Sequence, residues 1–336
     1  MKSLNIAISI RRDLHPPGEK ELEKIRAVDQ RIKLWDISEQ VQSELQGELS
    51  STAELDSILP NIEVMFATDV PQNLPARAPN LKYLQMAVAG IEHVLKPGVV
   101  GEDVLIANSS GIYGIPIGEH IISTMLMFAR RAPEFFAQKE TRVWRRLIPT
   151  LLYGKTVGIV GLGNIGWGLA HLAKAFGMTV LATREPQDKL IFNEGDADEV
   201  LPPRQLYYLL RNSDFVILTV PYTPKTHRMI GEAELKAMKT SAYLISISRG
   251  CVVDEHALFR ALKNGDIAGA GLDFYEQMPL PGDSELWALP NVILTPQIAG
   301  SNEHHAKWST RIFCRNLRRY IDGEEMFNII DRGRGY

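Results

Sequence analysis

The chain has 336 residues, of which 45% are hydrophobic and 23% are charged, and its formal net charge is −3 at pH 7. This length predicts two domains, and the composition is typical of a globular protein with enough apolar residues for two cores. Basic residues are scattered along the chain, which argues against a nucleic-acid-binding surface, since such a surface needs clustered positive charge.

The cysteine content and the apolar runs exclude further classes of protein. Cys251 and Cys314 are the only cysteines, so neither a disulfide framework nor a metal-binding spacing exists, and no metal is expected. The apolar run near the N-terminus is too short and too interrupted for a signal peptide. No run approaches 18 apolar residues. We therefore expect a cytoplasmic protein that does not contact membranes.

The first hundred residues alternate short apolar runs with helical patterns. Helices are predicted over 19–29 and 52–59, and the predicted strands cover 6–10, 32–37, 62–67, 81–87 and 104–109. This alternation is typical of a parallel sheet with helices on both faces. Ligands bind at the carboxyl ends of such strands, so we expect substrate near 9–12, 67–69 and 88–91. Arg11 or Arg12 would favour an anionic substrate there, unless they simply face solvent.

A strong helix is predicted over 116–131, because Pro116 suits a first turn and the pair Arg130–Arg131 suits a C-terminal end. A second helix is predicted over 133–146. A new alternating series follows, with strands predicted over 156–161, 178–183, 215–220, 242–248, 268–275 and 292–295.

The last predicted helix, 302–322, is long enough to return to the first unit. We therefore predict one discontinuous domain, made of 1–109 and 299–336, that binds substrate. The domain inserted into it, 110–298, is predicted to bind a dinucleotide.

The strongest local signal is the glycine pattern G-x-G-x-x-G at Gly161, Gly163 and Gly166, which follows a predicted strand and opens a predicted helix. The first glycine permits a tight turn, and the second lets the backbone approach a pyrophosphate. The third lets helix and strand pack closely, and the helix N-terminus faces the anion. We therefore predict that this turn, including Asn164 and Ile165, binds a dinucleotide.

The end of the next strand indicates which dinucleotide is bound. NAD sites place an Asp or Glu there, whereas this chain has Thr183 followed by Arg184. A guanidinium pairs well with a 2′-phosphate. NADP(H) is therefore the predicted cofactor. NAD(H) stays possible, because Glu185 follows immediately and because Arg184 has the alternative reading of a surface arginine.

Three further stretches complete a family pattern: AVAGIEHV (87–94), LISISRG (244–250) and the segment 271–300, which ends in VILTPQIAG. Together with the glycine motif and 117–131, they resemble the D-isomer-specific 2-hydroxyacid dehydrogenases over about 60–320. The segment 279–292 is especially similar to the glyoxylate/hydroxypyruvate reductase branch. The resemblance implies an α/β fold with two doubly wound parallel-sheet domains. In that fold, a Rossmann cofactor domain is inserted into a smaller flavodoxin-like substrate domain.

The resemblance also implies roles for single residues. Arg249 matches the arginine that grips the substrate's carboxylate and carbonyl, while Ala89 and Gly90 match the loop whose N–H groups hold that carboxylate. Asp273 matches the acid that orients the nicotinamide carboxamide. The complete predicted cofactor site is Gly161, Gly163, Asn164, Ile165, Gly166, Thr183, Arg184, Val220, Pro221, Ser248 and Asp273. Because 116–148 packs between subunits in the family, a homodimer is implied.

Three departures from the family pattern bear on catalysis. Gln297 replaces the acid/base histidine, Met278 replaces the glutamate that partners it, and Ser246 replaces a common asparagine. A carboxamide donates a hydrogen bond but moves no proton at neutral pH, whereas general acid–base catalysis typically contributes 10²–10⁴-fold. We include Arg249, Gln297 and Met278 in the predicted catalytic site.

Three interpretations stay open. The protein is an oxidoreductase acting on a small anionic 2-hydroxy or 2-keto acid, with its proton taken from water or another side chain. Alternatively, it transfers hydride in a reaction that needs no acid or base at this point. As a third alternative, it is a nucleotide-binding regulator that kept the cofactor site and lost the chemistry. Other proton sources by sequence proximity are Tyr113, Tyr275, His304 and His305, although we expect Tyr275 to be a packed aromatic and both histidines to lie on a helix surface.

Overall fold

Strand and helix alternate along most of the chain in a computed structural model, which describes residues 3–14, 16–48, 52–185 and 196–333. The chain divides into two units, Met1–Ile112 with Ser301–Tyr336, and Tyr113–Gly300. Each boundary lies two or three residues beyond the predicted one.

The first unit is built on a five-stranded parallel sheet. Its strands are β1 (Leu4–Ser9), β2 (Ile32–Asp36), β3 (Val64–Ala67), β4 (Tyr83–Met86) and β5 (Leu105–Ala107). Its helices are α1 (Glu19–Arg26), α2 (Ser38–Leu45), α3 (Thr52–Ile58), α4 (Leu74–Arg77) and α11 (His305–Asp322). The strand order β2-β1-β3-β4-β5 is that of flavodoxin-like sheets, in which the direction of winding reverses between β1 and β3.

Helix α11 completes the first unit although it comes from the far end of the chain. Its Phe313 ring stacks on Phe66 of β3 with the centroids 4.5 Å apart. The Asn316 amide donates to Gln85 Oε1 over 3.0 Å, and the Tyr83 hydroxyl donates to the same oxygen over 2.6 Å. These buried polar groups satisfy one another within an otherwise apolar core, which fixes the helix against the sheet.

The second unit is built on a seven-stranded parallel sheet. Its strands are β6 (Thr156–Val160), β7 (Thr179–Thr183), β8 (Glu199–Leu201), β9 (Phe215–Leu218), β10 (Tyr243–Ser246), β11 (Gly269–Leu272) and β12 (Val292–Leu294). Its helices are α5 (Gly114–Ala129), α6 (Ala132–Glu140), α7 (Asn164–Ala175), α8 (Leu206–Asn212), α9 (Glu232–Ala237) and α10 (Glu255–Asn264). The order β12-β11-β10-β9-β6-β7-β8 contains the Rossmann order, with its reversal between β6 and β9. The predicted α/β class with two doubly wound parallel sheets is confirmed.

Helices α5 and α7 approach closely because glycines lie at their contact. A methyl group added at Gly168 would lie 2.9 Å from the Gly114 carbonyl oxygen, and one added at Gly118 would lie 2.9 Å from Leu172 Cδ1. The helix that opens at the glycine motif is thereby held firmly in the second unit.

The helix predicted over 133–146 is shorter in the structure. Helix α6 ends at Glu140, and Arg142 has a left-handed φ of 54° that no α-helix accommodates. Residues 143–150 then run without regular structure. Among the described residues, no helix is both long enough and apolar enough to cross a membrane.

Candidate functional site

The glycine turn lies at the carboxyl end of β6, at the point where the sheet reverses. Gly161 has a φ of 103°, which suits glycine. A methyl group added at Gly163 would meet nothing within 4 Å, whereas one added at Gly166 would lie 2.6 Å from the Gly161 carbonyl oxygen. Helix α7 begins at Asn164, so Asn164 and Ile165 form its first turn. The second glycine therefore leaves space above the helix N-terminus, where an anion is stabilised.

Loops from the two neighbouring strands hold this turn in place. The amides of Gly161 and Leu162 donate to the Thr183 carbonyl at the end of β7, over 3.2 and 2.9 Å. The Thr219 hydroxyl, after β9, donates to the Gly161 carbonyl over 2.5 Å. A methyl group at Gly161 would lie 2.8 Å from Val220 Cγ1, so the two loops are in contact. The sequence did not single out Thr219, because a threonine at a strand end is unremarkable by itself.

Arg184 directly follows this anchored strand end. Its amide donates to the Leu201 carbonyl of β8 over 3.0 Å, and its side chain is partly exposed, while Glu185 is exposed. Pro221, in the loop after β9, is also exposed. The segment 186–195, which continues from Glu185, lies outside the described residues.

Ser248 and Arg249 follow β10 at the same edge of the sheet. The Ser248 side chain is 4% exposed, and its hydroxyl has no hydrogen-bond partner among the residues that the structure describes. The Arg249 guanidinium lies over the Phe274 ring, 5.0 Å from its centroid, and donates to the Ser248 carbonyl over 3.1 Å. A methyl group at Gly250 would lie 1.9 Å from the Tyr275 carbonyl oxygen. Only glycine therefore fits at position 250, where the backbone next to Arg249 approaches the segment that follows β11.

Asp273 anchors the turn that carries Gln297. The Asp273 side chain is 1% exposed, and its Oδ1 accepts from the Thr295 hydroxyl over 2.6 Å and from the Ile298 amide over 2.9 Å. Its Oδ2 accepts from the Ala299 amide over 3.0 Å. The chain's own turn thus engages both oxygens of the side chain that, by the family resemblance, orients the nicotinamide carboxamide.

Gln297 lies at the centre of this turn with its side chain exposed. Its φ of 57° is in the left-handed region, which is unfavourable for a residue with a side chain. The three hydrogen bonds to Asp273 hold the backbone there. The geometry therefore directs a neutral carboxamide out of the turn from a fixed position.

Met278 lies in the segment between β11 and β12, and its side chain is 41% exposed. The same segment is tied down at Glu276, whose amide donates to Glu255 Oε2 over 3.0 Å. The Glu276 carboxylate accepts from Arg228 over 3.1 Å. These contacts fix the backbone that presents Met278 at the surface of the second unit.

The alternative proton sources differ in their surroundings. The Tyr275 hydroxyl donates to the carbonyls of Leu272 and Thr295 over 3.0 and 2.9 Å, and burial raises its pKa to about 12. It is the packed aromatic that the sequence led us to expect. The Tyr113 ring packs on Gly300, where an added methyl group would lie 2.8 Å from its Cδ1. Burial raises the pKa of the Tyr113 hydroxyl, and the positive charge of Arg249 acts in the opposite direction.

The histidines divide in the same way. The expectation that His304 and His305 both lie on a helix surface is wrong for His305, which is 3% exposed at the start of α11. His304 is half exposed, and its ring packs on Trp308. In the second unit, burial lowers the pKa of His120 on α5, while the nearby charge of Asp273 opposes this shift. His120 is therefore mainly neutral at pH 7.

The first unit presents a second group of loops at the carboxyl ends of its strands. The Asn108 amide donates to the Ala89 carbonyl over 2.9 Å, and the Ser109 amide donates to the Val88 carbonyl over 3.1 Å. Both bonds engage carbonyl oxygens and do not use the N–H groups of Ala89 and Gly90. The His93 ring lies 3.0 Å from the Thr68 carbonyl at the end of β3. These contacts bring the loops after β3, β4 and β5 together.

The two arginines after β1 are paired with carboxylates. The Arg11 guanidinium donates to Asp13 twice, over 3.0 and 2.7 Å, and Arg12 forms an ion pair with Glu39. Arg11, Arg12 and Asp13 border a cavity of about 470 Å³ together with Gln42 and Asp69. Because both positive charges are matched locally, the arginines give this cavity little preference for an anion.

The residues of the second unit fit a dinucleotide. Gly163 leaves open space where a side chain would stand, and the buried Ser248 hydroxyl retains an unused donor. In the described ranges of the chain, no group of three or more His, Cys, Asp or Glu side chains has an arrangement suited to a metal ion.

Comparison with known proteins agrees with this arrangement. The family model "D-isomer specific 2-hydroxyacid dehydrogenase, NAD binding domain" matches residues 122–299. A glyoxylate reductase of Thermococcus litoralis is 34% identical over 299 residues, which cover 84% of this chain and 86% of that protein.

Solved structures agree as well. A D-isomer specific 2-hydroxyacid dehydrogenase family protein from Aeromonas salmonicida is 26% identical with a TM-score of 0.81, covering 98% of this chain and 100% of that one. An NADPH-dependent glyoxylate/hydroxypyruvate reductase from Sinorhizobium meliloti, solved with NADP and sulfate, shares the fold at 22% identity and a TM-score of 0.82. It covers 99% of this chain and 100% of its own. The resemblance inferred from the motifs is thus confirmed, and the chain belongs to the D-isomer specific 2-hydroxyacid dehydrogenase family of nicotinamide-dependent oxidoreductases.

Proposed function

We propose that this protein is an NADP(H)-preferring reductase of a small 2-keto acid or related substrate, with Gln297 in the position of an acid/base histidine. The observation that carries the proposal is the placement of three features at one edge of the second sheet. The open glycine turn follows β6, Arg184 follows β7, and Arg249 follows β10. Ligands of doubly wound sheets bind at this edge, beside the reversal of strand order.

The cofactor would be held by groups already fixed by the chain. The first turn of α7 faces the pyrophosphate, and the absence of a side chain at Gly163 lets the backbone approach it. The Arg184 guanidinium pairs with the 2′-phosphate. Ser248, Val220 and Pro221 border the same edge, where the Ser248 hydroxyl offers an unused hydrogen bond. When bound, the reduced cofactor supplies the hydride.

The substrate would be held by Arg249, because its planar fork suits the paired oxygens of a 2-keto acid. By the family resemblance, we assign the N–H groups of Ala89 and Gly90 in the first unit to a substrate carboxylate. Gln297 donates its amide N–H to the carbonyl oxygen, and Met278 stands in the sequence position of an ionisable partner. Arg249 and Gln297 thus polarise the carbonyl without moving a proton, which limits the rate with an ordinary 2-keto acid.

The cofactor preference is tested by replacing Arg184. Arg184→Ala is expected to weaken NADPH binding about 10- to 100-fold and to leave NADH binding within about twofold, because a hydrogen bond to a charged group contributes about 1.5–3 kcal/mol. Fluorescence titration of both cofactors with the wild type and the variant measures this. Tighter binding of NADH than NADPH by the wild type would contradict the proposal.

Turnover with glyoxylate, hydroxypyruvate and pyruvate, followed at 340 nm, tests the chemistry. Loss of NADPH in the presence of these acids supports a reductase. Cofactor binding without turnover of any of these acids, either alone or with an added amine, would instead favour the nucleotide-binding regulator. A gain of 2-keto acid turnover in Gln297→His/Met278→Glu would then report that the rest of the site is intact.

We also propose that the protein is a homodimer associated through the segment that follows α6. Trp144 and Ile148 are 98% and 88% exposed, and Tyr153 and the neighbouring Phe136 of α6 are largely exposed as well. An apolar surface of this kind is typical of an interface. Sedimentation velocity is expected to give the dimer mass for the wild type and the monomer mass for Trp144→Asp. A monomeric wild type would contradict this proposal.

A further inference from the structure

We propose that the preferred hydride acceptor is the protonated imine of a small 2-keto acid, formed with an amine, rather than the free 2-keto acid. This inference rests on the proposed function and names its substrate class. The structure around Gln297 carries it, because the turn holds the backbone of that residue, and its side chain offers an acceptor oxygen that the N–H group of an imine can use and a ketone cannot.

Gln297 differs from an acid or base in what it offers. Its Oε1 accepts hydrogen bonds, and its Nε2 donates them. The turn holds it through Asp273 Oδ1 on Thr295 and Ile298, through Asp273 Oδ2 on Ala299, and through the Tyr275 hydroxyl on the Thr295 carbonyl. The amide oxygen of a side chain on this held backbone is a ready acceptor for an N–H group, and a protonated imine has such a group where a ketone has only an acceptor.

The ionisable groups around the turn are occupied in other ways. Asp273 accepts three hydrogen bonds from the turn, and the Tyr275 hydroxyl is shared between two backbone carbonyls. The Arg249 guanidinium carries only N–H donors and lies over the Phe274 ring. Burial holds His120 mainly neutral. The contacts of Asp273 and Tyr275 hold the turn in place. None of the four side chains has contacts that prepare it to transfer a proton.

The chemistry of an imine agrees with this arrangement. Reduction of a ketone forms a C–H bond and leaves an alkoxide, which must take a proton as it develops. A 2-keto acid and an ammonium ion condense to a protonated imine and water. Hydride from NADPH then forms the C–H bond, while the C=N π electrons become the nitrogen lone pair. The product is a neutral amine that takes its proton from water afterwards, so the hydride step needs no acid.

Two residues would distinguish this substrate from its parent acid. Arg249 grips the carboxylate that both share, so it sets affinity for either. Gln297 Oε1 accepts the imine N–H, so it sets the preference for nitrogen over oxygen. The inference therefore makes Gln297 the specificity-determining residue of the site.

The first test compares pyruvate with and without methylamine at pH 9, with NADPH carrying deuterium at the transferred position. An alkylamine has a pKa near that of lysine, about 10.4, so at pH 9 a few per cent is free base and forms the imine. We expect NADPH oxidation to be at least about tenfold faster with methylamine. The product is expected to be N-methylalanine with one deuterium at its C2 carbon, which mass spectrometry identifies.

The outcomes separate this inference from the proposed function. Equal rates with and without methylamine, yielding deuterated lactate, would overturn the inference and leave the proposed function intact. NADPH binding without reduction of pyruvate or of its imine would overturn both. A reduced imine without reduced pyruvate would support the inference in its strongest form.

Matched variants at residue 297 test the assigned role, since each keeps a side chain on the same left-handed backbone. Gln297→Glu retains the accepting oxygen and loses the donor, so imine reduction is expected to be retained and pyruvate reduction to fall. Gln297→Leu removes both groups, and imine reduction is expected to fall at least about tenfold. If Gln297→Glu lost imine reduction as Gln297→Leu does, while both variants still bound NADPH, acceptance of the N–H would be excluded.

Discussion

At residue 297, the chain places a side chain on a backbone that glycine or asparagine would adopt more easily. A left-handed φ costs such a residue about 1–3 kcal/mol, and it persists where surrounding contacts determine it. Here those contacts are the Asp273 carboxylate and the Tyr275 hydroxyl. The hydrogen bonds that hold this strained backbone fix the direction in which the side chain leaves it. This fixed direction is what an aimed carboxamide requires.

Substitution by alanine is expected to have different effects at two glycines of the motif, Gly163 and Gly166. Gly163→Ala is expected to leave the midpoint of thermal unfolding within about 2 °C of the wild type, because nothing lies within 4 Å of the added methyl group. It should weaken NADPH binding at least about tenfold, since the methyl group occupies the space of the pyrophosphate. Thermal unfolding with and without NADPH measures both effects.

Gly166→Ala is the matched change. Its methyl group would lie 2.6 Å from the Gly161 carbonyl oxygen, which is backbone and cannot turn aside. We expect a loss of about 1–3 kcal/mol in the free energy of unfolding without any cofactor present. If Gly163→Ala bound NADPH as the wild type does, the pyrophosphate would not pass over residue 163.

At the scale of elements, the sequence predicted the strands best. Buried parallel strands are continuous apolar runs, and those that we predicted appear in the structure with ends shifted by a few residues. Short elements escaped prediction because they carry few periodic residues: β8 has three residues at the sheet edge, and α9 has six. Helix α10 was not predicted either, although Asp254 and Gly265 are residue types typical of the two ends of a helix.

The candidate site was predictable in its residues but not in its contacts. The positions of the glycines, Arg184 and Arg249 at strand ends follow from local pattern alone. The bonds from Asp273 to residues 295, 298 and 299 join parts of the chain more than 20 residues apart, and no local pattern encodes them. The sequence therefore indicated that a carboxamide replaces an acid, and the structure was needed to see how it is held.

The turn after β12 is held by one carboxylate, that of Asp273, so a single substitution tests what holds the turn. Asp273→Asn keeps the shape but turns an amide donor toward donors of the turn. We expect it to lower the free energy of unfolding by about 1.5–3 kcal/mol, because hydrogen bonds to a charged group are lost. Turnover should fall at least about tenfold, since Gln297 is no longer fixed. Urea unfolding at pH 7, with kcat/KM on the same samples, measures both.

Asp283→Asn provides the control for this change, because Asp283, like Asp273, lies between β11 and β12, but its side chain is exposed. It is expected to alter stability by no more than about 0.5 kcal/mol. An equal, small effect of both substitutions would show that the turn does not depend on Asp273.

At the scale of the whole chain, both units follow one rule. Each is a doubly wound parallel sheet, and each gathers polar side chains at the carboxyl ends of the strands beside its own reversal of order. Periodicity predicted this class because parallel sheets need covered faces and therefore alternate with helices. The return of α11 to the first unit depends on long-range contacts of Phe313 and Asn316. The length of the predicted helix allowed this return, but no local pattern specified the contacts.

Buried tyrosines in both units predict how the protein responds to alkali. Burial raises the pKa of Tyr83 in the first unit, and it raises the pKa of Tyr275 in the second to about 12, from about 10 in an unfolded chain. Above pH 10 the unfolded chain releases these protons while the folded chain keeps them. The contribution of these tyrosines to the free energy of unfolding is therefore fully present below pH 10. It falls as pH rises toward 12, by up to about 1.4 kcal/mol per pH unit for each such tyrosine.

Tyr275→Phe separates this linkage from the rest of the alkaline response. The variant loses the hydrogen bonds to Leu272 and Thr295, so its free energy of unfolding at pH 8 should be lower by about 1 kcal/mol. It has no proton to release at this residue, so its stability should fall less steeply above pH 10. Urea unfolding at intervals from pH 8 to 11.5 is expected to show two curves that converge as pH rises. Curves that stay parallel would mean that the folded chain gives up the Tyr275 proton as readily as the unfolded one, and that the two carbonyls do not hold it.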